Sequence, residues 1–315
     1  MGTPASGAGS PRLSAAEFAE LHARVRRGTG AGAGERGALE EITPRHVLAA
    51  AAEVRSGRTV TMAAQVQTEP GPDDPEPCEH VMTGAVRGGI RAGGLQFARD
   101  RFAMNVHGDA DSHLDALCHV IYDGTLYGGV DANTVTAGGA TALSVELARD
   151  GIVGRGVLLD IPRLRGVPWL EPGDHVTADD LTAAERAQHV RVTEGDLLFV
   201  RVGHRKRRAE LGAWHTADMR AGLHPYALEF LRDRRVAVLG GDGNNDTAPS
   251  STDGVDFPVH VLAVHAMGLH LLDYLQFEDL VEVCEAEERW SFLCVVAPLR
   301  LPEATGSPVN PIAVF

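Results

Sequence analysis

Residues 107–119, His-Gly-Asp-Ala-Asp-Ser-His-Leu-Asp-Ala-Leu-Cys-His, place three histidines and three aspartates in thirteen positions. Imidazole and carboxylate are ligands for divalent transition metals, and imidazole also carries protons near neutral pH. In an extended segment His113 and Asp115 point to one face, because side chains repeat every two residues along a strand. A helix beginning near Asp115 would put Asp115 and His119 four apart, again on one face. Either way His113, Asp115 and His119 can converge. Asp109 and Asp111 lie upstream at even spacing from His113, so an extended run could aim both at the same point. Mixed nitrogen and oxygen donors suit zinc, manganese or iron rather than calcium. Cys118 alternates away from that face and reads as a small buried hydrophobe.

Several elements must position this stretch. Residues 96–106 (QFARDRFAMNV) lead into it as a strand. Residues 154–162 (GRGVLLDIP) and 195–203 (GDLLFVRVG) are glycine-bounded apolar runs, as buried strands are. Residues 224–235 read as a helix and 235–243 (RVAVLGGDG) as a strand ending in a Gly/Asp loop. Residues 257–275 have mixed periodicity and are part helix. Residues 289–301 read as a long strand and 306–315 as a terminal one. Upstream, Ser14 caps a helix in 14–27. Thr43 caps another, with Pro44 in its first turn and Gly57 as its stop. Residues 58–66 (RTVTMAAQV) read as a strand, and 68–80 (TEPGPDDPEPCEH) as a long acidic loop. Residues 1–12 and 28–36 are rich in small residues and read as flexible. The basic run around Trp214 and His215 reads as a solvated face.

The 315-residue chain carries a net charge of −14, which argues against nucleic-acid backbones and anionic membrane surfaces as partners. A small molecule is the easier partner. The four cysteines form no C-x-x-C pair, so a thiolate zinc site or redox motif is not expected. No signal-like segment stands out, no apolar run approaches a membrane span, and a cytoplasmic location is expected. The glycines of GGDGNND (240–246) lack the dinucleotide-binding spacing.

The run S-H-L-D-A-L-C-H (112–119) resembles the central motif of the cyclase / kynurenine formamidase family, which includes isatin hydrolase. That motif reads H-x-G-T-H-x-D-x-P-x-H and falls on 109–119. His113, Asp115 and His119 match it. Ser112 stands for Thr, Asp111 for Gly, Leu117 for Pro and Asp109 for the first His. Asp109 holds the family position of the first ligand, with His107 two residues away as the alternative. Downstream, EGDLLFVRVG is similar to the family's GD-φ-φ-φ-R-T-G strand and VAVLGGDGNND to its φ-G-x-D loop. Residues 258–280 are similar to the segment in which a His precedes an acid, here His260 and Asp273. Residues 297–315 resemble the family's C-terminal strand pair. The likeness covers roughly residues 95–315.

The resemblance implies an α/β fold of the swivelling β/β/α type, with a mixed β-barrel-like core and flanking helices. The cyclase-like domain would occupy residues 61–315, after a leader and helical extension over 1–60. It further implies metal-dependent hydrolysis of an amide, lactam or formamide by a homodimer or homotetramer. Asp109, His113 and Asp115 would bind one zinc or manganese ion. His260 and Asp273 would hold a second, with Asp115 bridging, and His119 would be the general base and acid. With one ion, His260 would serve as a second proton carrier or as a substrate contact. Two alternatives remain open: a metal-dependent cyclase acting on a polyketide-like metabolite, and a metal-binding protein without turnover.

Overall fold

Nine strands form one mixed sheet: β1 (Thr59–Thr61), β2 (His113–Asp115), β3 (Ile152–Asp160), β4 (Leu197–Arg201), β5 (Val238–Gly241), β6 (His270–Asp273), β7 (Ser291–Val296), β8 (Gly306–Pro308) and β9 (Ile312–Val314). The computed structural model describes residues 12–28, 34–84 and 94–315; most of the two small-residue stretches expected to be flexible falls outside them. Across the sheet the order is β1-β9-β7-β3-β4-β5-β6-β2-β8. The run β3 to β6 is parallel, and every pairing outside it is antiparallel. The sheet curls into a half-barrel flanked by helices, the α/β architecture expected.

Parallel strands are buried on both faces, so they read as unbroken apolar runs. Successive residues of β3 and β4 go to two different cores. Val157, Leu159, Leu198 and Val200 enter one, while Leu158, Leu197 and Phe199 enter the other. The N-terminal helix Ala15–Val25 packs Phe18, Leu21 and Val25 into the first of these cores. Its start is fixed by Ser14, whose hydroxyl accepts the Glu17 N–H while Glu17 reaches back to the Ser14 N–H.

Several elements differ from the sequence reading: the strand expected over 58–66 is limited to Thr59–Thr61 and the one over 96–106 to Arg99–Ala103, and four others also differ. The helix Pro44–Ala51 begins as expected but stops well before Gly57, because it buries only Ala50 and little packing rewards another turn. Residues 306–315 make two strands rather than one, since Pro308 and Pro311 lack the N–H that a continuous ladder needs. Residues 204–211 form a helix whose first turn is not solvated: His204 and Arg205 are buried. The Arg205 guanidinium donates to the carbonyls of Ala110, Tyr274 and Leu275, tying this helix to the histidine-rich stretch. The long strand expected over 289–301 is limited to Ser291–Val296.

Residues 257–275 split as the mixed periodicity suggested. A short helical turn, Pro258–His260, runs into a π-helical segment, Val261–Ala266, and then into β6. π-Turns are often found at functional sites. Outside the main sheet, Glu79–Gly84 and Arg99–Ala103 pair as an exposed antiparallel ribbon. No helix among the described residues is long and apolar enough to cross a membrane.

Candidate metal centre

β2 lies between β6 and β8, and its register decides the site. His113 faces Asp273 across the β2–β6 ladder, and Asp115 is two residues further along β2. His113, Asp115 and Asp273 therefore share one face of the sheet. The extended reading of 113–115 is the one realised; beyond Asp115 the chain turns at Leu117–Cys118 and brings His119 back without a helix. Cys118 is buried, as expected.

Each side chain is oriented by a partner behind it. His113 Nδ1–H donates to the Asp111 carbonyl at 2.8 Å, which leaves Nε2 free to face Asp115 Oδ1 at 3.5 Å. Asp273 Oδ1 accepts from Asn245 Nδ2 at 2.6 Å. His260 Nδ1 lies 2.6 Å from Asp246 Oδ2, and the same carboxylate accepts the N–H groups of Val259 and His260. Asp246 thus caps the helical turn and aims His260 Nε2 at Asp115 Oδ2 (3.5 Å) and Asp273 Oδ2 (3.4 Å). His107 Nδ1 is 2.8 Å from Asp115 Oδ1, and its Nε2 is 2.9 Å from Thr305 Oγ1.

Two groups of ligand atoms result, each within 4.8 Å: His107, His113 and Asp115, and Asp115, His260 and Asp273. Asp115 belongs to both. Asp109 belongs to neither; its carboxylate accepts from the Tyr274 hydroxyl at 2.8 Å and lies on the cavity wall. Asp111 accepts the Gln67 N–H at 2.8 Å and anchors the stretch to that segment.

Asp115 Oδ2 and Asp273 Oδ2 are buried and accept no hydrogen bond. Leaving a buried carboxylate oxygen unsatisfied costs free energy, about 1–3 kcal/mol or more for a charged group. A divalent cation held by Asp115, His260 and Asp273 would satisfy both oxygens, and the nitrogen and oxygen donors there match zinc or manganese chemistry. The residues therefore fit a metal. Burial alone would raise the Asp115 carboxyl, but His119, His107, His260 and His113 overcome it and hold Asp115 well below the usual carboxylate range.

His119 stands apart from both groups. Its ring stacks on His107 with centroids 3.7 Å apart and planes 8° from parallel. Burial, reinforced by the neighbouring imidazoles and only partly offset by Asp115, pushes His119 down to about 4. It is neutral at pH 7, as a proton acceptor must be. These groups form part of the wall of a cavity of about 850 Å³, which also includes Asn244, Tyr122 and Phe257.

Asn245 and Asp246 were not singled out by sequence, although both sit in GGDGNND. The signal available was the acid ending a glycine loop after a strand. Its partner, His260, could be found only once the fold closed.

Comparison with known proteins shows the family and the fold. Residues 59–245 match the model of a family described as "Putative cyclase". A crystal structure described as a novel cyclase superposes with TM-score 0.78 and 28% identity, covering 90% of this chain and 96% of that one. Isatin hydrolase A from Ralstonia solanacearum superposes with TM-score 0.60 and 20% identity, over 87% of this chain and 98% of its own. An isatin hydrolase bound to the product analogue thioisatinate gives 0.57 and 20%, over 87% and 99%. No curated protein matches the sequence.

Proposed function

Because the chain belongs to the cyclase family, we propose that it is a metal-dependent hydrolase cleaving an amide, lactam or formamide C–N bond of a small molecule. The observation that carries this reading is the pair of unsatisfied buried oxygens, Asp115 Oδ2 and Asp273 Oδ2, that converge on His260 Nε2. His107, His113 and Asp115 would hold one ion, and Asp115, His260 and Asp273 a second. His107 takes the first-ligand role here in place of Asp109, because it is His107 whose nitrogen reaches Asp115.

A divalent cation at these residues supplies positive charge that acidifies water and polarises a carbonyl. His119 accepts the water proton and returns it to the leaving nitrogen; its lowered pKa keeps the ring unprotonated, with a lone pair available, at pH 7. Thr305 fixes the His107 ring, and Asp246 fixes that of His260. The cavity supports hydrolysis over cyclisation: among the described residues its wall is rich in carboxylates and has two phenyl-type rings beside the histidines, Tyr122 and Phe257. A dry aromatic lining, suited to folding a polyketide, is not what surrounds these residues.

A homodimer or homotetramer is the assembly proposed. The exposed ribbon Glu79–Gly84/Arg99–Ala103 supports it, because a two-stranded ribbon with Met82 and Phe102 in solvent lacks a core of its own. The four cysteines are free and buried, which suits a reducing cytoplasm.

The test is elemental analysis of the purified protein beside His113→Ala, followed by a screen of formamides, lactams and anilides. One or two equivalents of zinc or manganese, lost in the variant, with turnover of at least one such substrate, are expected. Metal-free protein after reconstitution would sink the reading.

A further inference from the structure

The cavity wall carries carboxylates well beyond those of the metal centre. Asp73, Asp74 and Glu76 come from the acidic loop after β1, Asp109 from the histidine-rich stretch, and Asp256 from the segment before the helical turn. No lysine or arginine is among the described residues lining the cavity. Asp73 is paired with Arg208. The other four form no ion pair among the described residues: Glu76 accepts from Asn105 Nδ2 at 3.2 Å and Asp109 from Tyr274. A resident cation at Asp115 and Asp273 offsets those two charges, not these four.

A second observation is independent of the acids. Asn244 is only 9% exposed and lines the same cavity, yet its Oδ1 is buried with no hydrogen-bond partner. Native structures rarely leave such an acceptor unpaired unless something outside the chain donates to it. A carbonyl oxygen can take only a donor, and an N–H of a ligand is one.

Resting on the hydrolase reading, we infer that the substrate carries a cationic, N–H-bearing end, an ammonium or amidinium. It would sit between the loop 73–76 and Asp256, with its scissile amide at the metal centre and Asn244 accepting an N–H. Glu76 and Asp256 are exposed and form the rim, while Asp115 and Asp273 are fully buried and form the floor. An anionic substrate tail would meet uncompensated carboxylates on both sides. Burial, with Asp111 and Asp73 nearby, already pushes the Asp74 carboxyl up, a cost that an incoming cation relieves.

The experiment titrates two amides of one shape into the full-length metal-loaded protein by calorimetry: para-aminomethylbenzamide, a cation, and para-methylbenzamide, its neutral counterpart. The cation should bind roughly tenfold tighter, the worth of one well-placed charge contact. That gap should narrow in Asp256→Asn and in high salt, while the neutral amide is unaffected by either. Asp256 is exposed, so its substitution leaves folding intact. Equal binding, a preference for the neutral amide, a gap indifferent to both Asp256→Asn and salt, or no binding of either probe overturns the inference. Metal content and hydrolysis measured on the same sample separate the two claims. A metal-free or inert protein sinks the hydrolase reading, whereas the cation preference is judged from the binding curves.

Discussion

His113 and Asp273 stand directly opposite each other in the antiparallel ladder of β2 and β6, though 160 residues of chain separate them by number (273 − 113). Asp115 follows on the same face of β2, so three candidate ligand side chains are set by one strand register. A slip of one residue would turn His113 and Asp115 to the opposite face. The candidate metal centre is thus a property of the pairing, and residues outside both candidate ligand groups orient it.

Asn245 is one of these. Its Nδ2 occupies Asp273 Oδ1 and leaves Oδ2 for the cation. Asn245→Ala should weaken metal affinity about 10–100-fold, the usual cost of losing an orienting partner. Competition against a fluorescent chelator measures it; unchanged affinity would mean that Asn245 only shapes the loop.

Asp246→Asn keeps the size of the side chain but replaces an anionic acceptor beside His260 Nδ1 with a neutral amide. The His260 ring is then free to rotate, and the second ion should bind about 10–100-fold more weakly while the first is retained. Metal stoichiometry by elemental analysis should fall by one equivalent.

His119→Ala should retain metal and lose about 10²–10⁴-fold in kcat, because proton transfer is removed and no ligand is. Loss of metal together with activity would instead make His119 a ligand.

Gly306 on β8 pairs with Asp115 on β2, and a Cβ built on Gly306 would lie 2.5 Å from the Leu114 carbonyl oxygen and 2.8 Å from His107 Cε1. Gly306→Ala must push the ladder or the His107 ring aside. Thermal stability should fall because the nearest clash is with backbone, and metal affinity should fall with it; wild-type affinity in the folded variant would place His107 outside the ligand set.

His270 on β6 is fully buried with neither ring nitrogen bonded, and burial pushes it down to about 4. Its folded value lies below the unfolded value near 6.5, so the unfolded state binds the proton first as pH falls. Its contribution is complete above about pH 6.5 and is lost progressively as pH falls to about 4, up to about 3 kcal/mol. Urea unfolding of wild type and His270→Leu at pH 7 and pH 5 measures this. The variant should be as stable at pH 7 and lose less at pH 5; parallel losses would clear His270 of the acid sensitivity.

The cores were legible because buried parallel strands leave long apolar runs, and GVLLD and DLLFV sit where those runs placed them. Capping chemistry likewise marked Ser14 and Pro44 as helix starts. The ends were less legible. Where Pro44–Ala51 stops depends on what it packs against, and no local signal carries that. Arg205 defied its charged context because three backbone carbonyls from other segments accept from its guanidinium.

What the sequence determined by itself is the composition of the site: His113, Asp115 and His119 at spacings that an extended strand and one turn bring together, and the order of segments that points to His260 and Asp273. What the tertiary structure decided is the closure of that site. His107, not Asp109, reaches Asp115, and Asn245 and Asp246 aim ligands that lie 28 and 14 residues further along the chain. Spacing along a strand is a local property that covalent geometry fixes. Contacts across strands and loops depend on register and packing, which exist only once the whole sheet has formed.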